Sequence, residues 1–453
     1  MLRRHSRVYP IRLRRQREDG GDAAFLHNQY FQYRNRMLAL FAQGFPEDKV
    51  SRRFKRWLSS PILRTISWFA IDVLYCAIKV NKNNWRHAKD ETGKGRLRQL
   101  LECLWCALST PSMPENYYKF EWFNEISRTR RHEYLHRYEM KAVLYPLMYT
   151  PEEIKQAPFL VDKSAWQHWA TANNIPSPGL LGELDGGRYR PHAADSPEQI
   201  AQDCFVKPAL EKGGKDSALF IYDPEAGQFK NIATGERGPL KTLLRKQLLD
   251  SEEKRKRYLI QPRLRVHRSL QRLSGQAAAT ARIITVINES GAPEVVSAHF
   301  RIPRNQNDHV DNMHAGGLAC AVKIHNGELG PATDYGLSGQ NDFYYSHPFN
   351  EENIAGTLLP DWQLACDIAL QAHRNAVPIK LVGWDVCLGD NGPVIVEANL
   401  QPCTDGPQRR QREPLGQARL AQLIAYHIRM SGLEADWNNY QPGPELALLA
   451  NEN

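Results

Sequence analysis

The spacing of apolar positions along this 453-residue chain changes near residue 155. Before it, residues 23–150 are rich in Leu, aromatic and charged residues and contain few alternating runs, which predicts a mostly helical region. The loop 107–116, with Pro111 and Pro114, divides that region. After it, short β-like runs are set off by Gly and Pro turns: CFVKP, ALFIYD, YLIQPR, ARIITVIN, EVVSAHFRIP, LACAVKI, LVGWDVCLG and PVIVEANL. Several follow one another with only turns between, so the fold class is α+β with antiparallel sheets. A helix is expected over 362–376, where Leu364, Ile368 and Ala372 recur every four residues, and another over 415–431. No internal repeat of fixed period is present. The division expected is an arm over 1–22, a helical region over 23–150, an α+β body over 151–435 and a tail over 436–453.

The most apolar early stretch runs from Leu58 to Val80. Arg64, Asp72 and Lys79 interrupt it and Pro61 lies near its start, so it is a poor membrane span. It predicts a buried helix, with an interfacial helix as the alternative. Charge then changes the picture of the N-terminus. Residues 1–60 hold 14 Lys/Arg and 5 Asp/Glu, so the surplus is 14 − 5 = 9, the whole net charge of +9. Residues 1–22 therefore form a basic, loosely ordered arm that can touch an anionic membrane, nucleic acid or an acidic partner, or stay solvated. Eight cysteines in a chain of this size do not make a disulfide framework. Cys103 and Cys106 form a CxxC within LECLWCALST, but no second pair follows at zinc-site spacing, and a buried helix face is the expected setting. With no apolar core of an export signal at the N-terminus, the expected location is the cytoplasm.

The strongest chemical constellation is GWDVCLGDNGPVIVEANLQP, residues 383–402. Two strands are joined by the Asx/Gly turn GDNG. Asp385 stands near the start of the first strand, and Glu397 and Asn399, two apart on the second, point to one face. Three oxygen ligands on a rigid hairpin suit Mg²⁺, a hard cation that shares itself with substrate phosphates; the plainer alternative is a polar outer face. Upstream, CFVKPALEKGGKDSALFIYD puts Lys207 at a strand end before a loop with Gly213, Gly214 and Lys215. Glycines let backbone N–H groups approach phosphates, and lysines supply point charges. The Walker A pattern is absent, and a plain Gly-Gly hairpin would read much the same. Lys163 opens a helix in VDKSAWQHWATANNIPSPGL and would by itself be a surface lysine. Gln261 ends an apolar strand before Pro262, as a hinge facing an adenine edge does. Arg282 and Arg301 interrupt apolar strands, where a guanidinium fork suits carboxylate or phosphate, or a strand ion pair. Asn312 and His314 precede a Gly-Gly turn whose donors would suit an oxyanion.

In this order, Lys163, the VKP strand with its Gly loop, the LIQP segment, the strand arginines, Asp385 and the ExN pair, the chain resembles the ATP-grasp superfamily. NMHAGGLACAV, GWDV and PVIVEANLQP are similar to its sugar-transfer-associated, alpha-L-glutamate ligase-related group. The resemblance covers about 155–430 and makes 151–435 an ATP-grasp domain of two α+β subdomains clasping ATP. It implies that Lys163 and Lys207 contact ATP phosphates and that Gly213, Gly214 and Lys215 form a lid over them. It implies that Gln261 and its neighbours meet the adenine and that Asp385, Glu397 and Asn399 hold one or two Mg²⁺ ions. Arg282 or Arg301 would steady the transferred phosphoryl group, with His314 beside them. The tail EANLQPCTDGPQ departs from the usual pattern, which leaves the acceptor pocket open. The activity implied is a carboxylate–amine or carboxylate–thiol ligase acting through an acyl phosphate on amino acid or sugar-derived substrates. A phosphotransferase acting on a hydroxyl and a non-catalytic membrane- or nucleic-acid-associated scaffold are the other readings. His132-Glu133-Tyr134-Leu135-His136 is a formal HExxH. Its charged flanks and missing third ligand predict a charged surface helix instead of a zinc site.

Overall fold

Residues 76–109 fold as two helices joined by a glycine turn. Helix α1 (Cys76–Thr92) stops at Gly93, whose φ of +71° lets its N–H close on Lys89 O at 2.7 Å, and α2 (Arg96–Ser109) starts three residues later. The structure, a computed structural model, describes residues 22, 25–26, 73–110, 112–137, 140–210, 216–250, 257–305, 316–339 and 343–431. Later helices are α3 (Lys163–Ala172), α4 (Leu240–Asp250), α5 (Trp362–Asn375), α6 (Asp405–Gln411) and α7 (Arg419–Met430). The chain divides into two units, one of Met1–Glu152, Thr333–Asp342 and Cys403–Asn453, the other of Glu153–Ala332 and Phe343–Pro402.

The first unit is built on an aromatic core. Tyr117, Tyr118, Phe120, Trp122, Phe123 and Tyr134 pack with Ala77 and Ala88 of α1 and Cys103 and Cys106 of α2. The CxxC is therefore a helix face in a core, and burial pushes the Cys106 thiol up to about 12. A chain of ion pairs runs through the same unit. Lys119 bonds Asp405 at 2.8 Å and Glu115 at 3.1 Å, while Arg409 and Arg412 hold Glu121, each at 2.8–2.9 Å.

The second unit holds two sheets. Strands β1 (Gly182–Asp185), β2 (Arg188–Pro191), β3 (Cys204–Pro208), β4 (Ala218–Asp223), β5 (Gln228–Asn231), β6 (Arg237–Gly238) and β7 (Arg257–Pro262) form one, in the order β2-β1-β7-β3-β4-β5-β6. The other contains β8 (Thr280–Ile287), β9 (Pro293–Ile302), β10 (Leu318–Val322), β11 (Leu329–Thr333), β12 (Phe343–Tyr344), β13 (Leu381–Gly389) and β14 (Gly392–Asn399), in the order β12-β11-β10-β9-β8-β13-β14. Strand alternation decides the faces. In β3, Cys204 and Val206 enter a core with Phe220, Leu243, Leu244, Tyr258 and Ile260 under α4, so Phe205 and Lys207 take the other face. Beneath the second sheet, Trp384 Nε1 donates to Thr285 Oγ1 at 2.8 Å. That hydroxyl meets His373 Nδ1 of α5 at 2.6 Å, and His373 Nε2 reaches Ile379 O at 3.0 Å. The buried polar groups under the β13 platform are thus satisfied in series.

The eight strands read from the sequence are all present, as are the helices near 362–376 and 415–431. The strands β1, β2, β5, β6 and β12 carry too few residues for an alternating pattern, and β11 holds a Gly-Pro pair that breaks it. Three expectations are corrected. Leu364 lies on the exposed side of α5, whose buried stripe is Trp362, Ala365, Cys366, Ile368, Ala369, Ala372 and His373, so Ile368 and Ala372 are buried as expected. The HExxH segment is no helix: Arg131–Glu133 is a 3-10 turn, the chain then extends, and His136 is buried with Nδ1 against Asn116 Nδ2 at 3.2 Å. Of the apolar stretch Leu58–Val80, residues 58–72 lie outside the described ones, and the described part is buried on one side only, with Val73 and Ala77 buried and Leu74, Tyr75 and Ile78 exposed. Among the described residues, no helix is long and apolar enough to cross a membrane.

Candidate functional site

The β13–β14 hairpin forms around the turn Asp390-Asn391, with Gly389 opposite Gly392 and φ of +99° at Gly392. Its ladder sets Asp385 opposite Glu397, with a bulge just after Asp385. On the other side of β13, Asp385 stands opposite Arg282 of β8. Arg282, Asp385 and Glu397 thus occupy adjacent positions on three neighbouring strands. Asn399 stands opposite Gly383 and donates from Nδ2 to Gly383 O and Glu397 Oε1, both at 3.5 Å. The donor end of the amide is used this way, and its oxygen is the end suited to a cation.

Asp385 is buried and doubly clamped. Arg282 forks onto both carboxylate oxygens, with Nη2 at 2.8 Å from Oδ2. Arg301 of β9 adds Nη2 at 2.7 Å from the same Oδ2 and fixes its own guanidinium on Thr280 Oγ1, Nε at 3.1 Å. Burial works against ionisation of Asp385, but Arg282 and Arg301 outweigh it and hold the carboxyl well below the usual range. Gly383 makes the Arg282 crossing possible: a Cβ there would lie 3.1 Å from Arg282 Cδ and 3.0 Å from Pro402 Cβ.

Two lysines meet this platform. Lys163 is the first residue of α3, whose N-cap Asp162 accepts from Ser164 N at 2.9 Å and also pairs with Arg257. Lys163 N bonds Ala209 O at 2.9 Å, which ties the helix start to the end of β3. Its Nζ lies 3.7 Å from Glu397 Oε2. Lys207, buried on β3, feels Glu397, Lys163 and Asp385. Burial, helped by Lys163 and opposed by the two carboxylates, lowers its ammonium to about 8.

The set Lys163, Lys207, Arg282, Arg301, Asp385, Glu397 and Asn399 is therefore gathered in one place. Lys163, Lys207, Arg282 and Arg301 converge on Asp385 and Glu397, a concentration of cations that suits a polyanion. Among the described residues no group of three His, Cys, Asp or Glu side chains is arranged for a metal. Two carboxylates and an amide oxygen still fit Mg²⁺ when phosphates complete its shell. Gln261 is placed differently: its Nε2 donates to Gly179 O at 3.0 Å, within the packing of the first sheet. Gly213, Gly214, Lys215, Asn312 and His314 lie outside the described residues. Sequence reasoning missed that both arginines share Asp385. The available signal was the glycine two residues before that aspartate.

No curated protein sequence matches the chain. Solved structures similar to it include a RimK domain ATP-grasp protein from Sphaerobacter thermophilus, at 14% identity and TM-score 0.32 over 60% of this chain and 69% of that one. The D-alanine-D-alanine ligase from Coxiella burnetii is similar at 12% identity and TM-score 0.35, over 63% and 64% of the two chains. The D-alanyl-alanine synthetase A from Vibrio cholerae is similar at 11% identity and TM-score 0.34, over 61% and 66%. The chain thus spans about two thirds of the length of these proteins. The family model for sugar-transfer associated ATP-grasp proteins matches residues 140–419, more than half of the sequence. With its α+β architecture and preceding helical region, the chain belongs to the sugar-transfer associated ATP-grasp family.

Proposed function

We propose that this protein is an ATP- and Mg²⁺-dependent ligase that joins a carboxylic acid to an amine through an acyl phosphate. The observation that carries this reading is the meeting of Lys163 and Lys207 with the Arg282–Asp385–Glu397 row. Mg²⁺ held by Asp385, Glu397 and Asn399 would offset charge on the ATP phosphates. Lys207 and Lys163 neutralise the phosphate oxygens from the opposite side. A substrate carboxylate oxygen attacks the γ-phosphorus, an O–P bond forms, the bond to the β-phosphate oxygen breaks and ADP leaves. Arg282 and Arg301 flank the acyl phosphate. The amine nitrogen then attacks the acyl carbon, a C–N bond forms, phosphate leaves, and the amine releases a proton. No side-chain nucleophile is needed.

The loop of Gly213, Gly214 and Lys215 keeps its role as a cover that excludes water, and His314 its role as an oxyanion donor, on sequence grounds. Because the Gln261 amide is committed to Gly179 O, reading of the nucleobase falls to main-chain groups beside it. The substrates are small molecules, an amino acid or sugar-derived acid with an amine, and the setting is the cytoplasm.

The test is a phosphate-release screen of acids against amines with ATP and Mg²⁺, with mass spectrometry of the products. An amide product is expected, with turnover lost in Glu397→Ala. A phosphoester product would make the protein a phosphotransferase, and full turnover in Glu397→Ala would remove the reading.

A further inference from the structure

Helix α2 is apolar on both sides. Gln99, Cys103, Cys106 and Ala107 face the core. At 100° per residue, Leu97, Leu101, Trp105 and Leu108 fall on the opposite face, while Leu104 packs partly against the core. Of these, Leu97 is 70% exposed, Leu101 59% and Trp105 50%. A helix that is apolar all round is expected to be covered on both faces, and among the described residues α2 is covered on one. Arg98 stands on the rim of the stripe, and the Arg131 guanidinium lies 4.1 Å over the Trp105 ring.

The neighbouring helix explains what covers it. In α1, Ala77, Asn81, Asn84 and Ala88 face the core. Exposed Lys79, Lys82, Arg86 and Lys89 recur at helical spacing on the outward side. The two helices form one antiparallel hairpin through Gly93, and both outward faces lie away from the same core. An apolar Leu/Trp stripe therefore runs beside a basic stripe. Apolar side chains that enter the acyl boundary, cations that meet anionic headgroups and an aromatic ring beside them are the anatomy of an interfacial helix pair.

We infer that the α1–α2 hairpin is a docking surface for an anionic lipid bilayer, with Leu97, Leu101 and Trp105 entering the interface and the α1 lysines and arginine meeting headgroups. An acidic protein partner would use the basic stripe but leave the Leu/Trp stripe without a role. The surface lies in the unit that does not carry the ATP-site residues.

The test is flotation of the full chain with phosphatidylcholine vesicles, with and without phosphatidylglycerol. Wild type is expected to float with the anionic vesicles and not with the neutral ones. Leu97→Glu/Leu101→Glu should weaken that binding by about tenfold or more, and Lys79→Glu/Lys82→Glu should weaken it and flatten its dependence on salt. Circular dichroism and unchanged ATP turnover show that these exposed substitutions leave the fold intact. Four outcomes overturn the proposal: no vesicle binding by wild type, equal binding to neutral vesicles, full binding by Leu97→Glu/Leu101→Glu, or a dimer that this double variant dissociates.

Discussion

Two buried charge clusters in this protein look alike in outline and differ in balance. In the first unit, Lys119 pairs with both Glu115 and Asp405, and Arg409 and Arg412 both pair with Glu121. In the second, among the described residues, Lys163, Lys207, Arg282 and Arg301 gather around Asp385 and Glu397. The protonation of their lysines records the difference. Lys119 is penalised by burial, yet Asp405 and Glu115 outweigh that and push its ammonium above the ordinary range. Lys207 is penalised by burial and by Lys163, and its carboxylates do not make up the loss. A buried ion pair is costly to break from one side, because the partner left behind is an uncompensated charge. An unbalanced cluster stores positive charge for an anion that arrives later, and buried groups with displaced protonation mark functional sites.

That contrast is broken most severely at Lys207. Lys207→Met should lower ATP turnover by about 10²–10³-fold, the scale for losing one preorganised group facing transition-state charge, while the melting temperature of the free protein holds or rises. Turnover within a factor of about two of wild type would falsify the storage argument. The same variant sharpens it through pH. The folded ammonium, at about 8, is lowered from 10.5, so the unfolded chain binds more protons between those values and wild-type stability gains from this group as pH rises. The stability advantage of Lys207→Met should be greatest below pH 8, at most about 3 kcal/mol, and should vanish above pH 10.5. Thermal melts across that window read it directly, and an advantage that grew with pH would have the wrong sign.

The matching change in the balanced cluster is Lys119→Met, which leaves Asp405 buried beside Glu115 without its cation. It should cost about 3 kcal/mol of stability in denaturant melts and leave turnover per folded molecule unchanged. A stable but inactive variant would move this cluster into the chemistry. A smaller effect is expected at Gly383→Ala. Its methyl would press on Arg282 Cδ and Pro402 Cβ, and a drop in turnover of about tenfold, with the fold retained, would show that the arginine's path matters.

Much of the candidate site could be read from residue types and order. Glu397 and Asn399 had to share a face because strand side chains alternate. The Asp390-Asn391 turn then brought Asp385 across from Glu397. Lys163 needed only the N-cap Asp162 to stand at a helix start. The pairing of Asp385 with both Arg282 and Arg301 was not legible, because the strand order β9-β8-β13-β14 is set by long-range ladders. Gln261 is a different case. Its place at the end of β7 was readable, but its amide partner, Gly179, is 82 residues away.

The helical unit gave the clearest misreadings. His132-Glu133-Tyr134-Leu135-His136 has helical spacing in one dimension. The packing of Tyr134 with Phe120 and Trp122, and of His136 with Asn116, extends the chain there instead. Leu364 likewise kept the right spacing and took the wrong side, since the face a helix buries is chosen by the sheet it covers. The chain by itself determined which segments alternate as strands, which repeat as helices and which residue types could hold phosphate and a hard cation. Those properties depend on neighbours a few positions apart. Tertiary structure decided which charges are balanced and which are left over, because burial and ion pairing depend on groups that meet only after the sheets have formed.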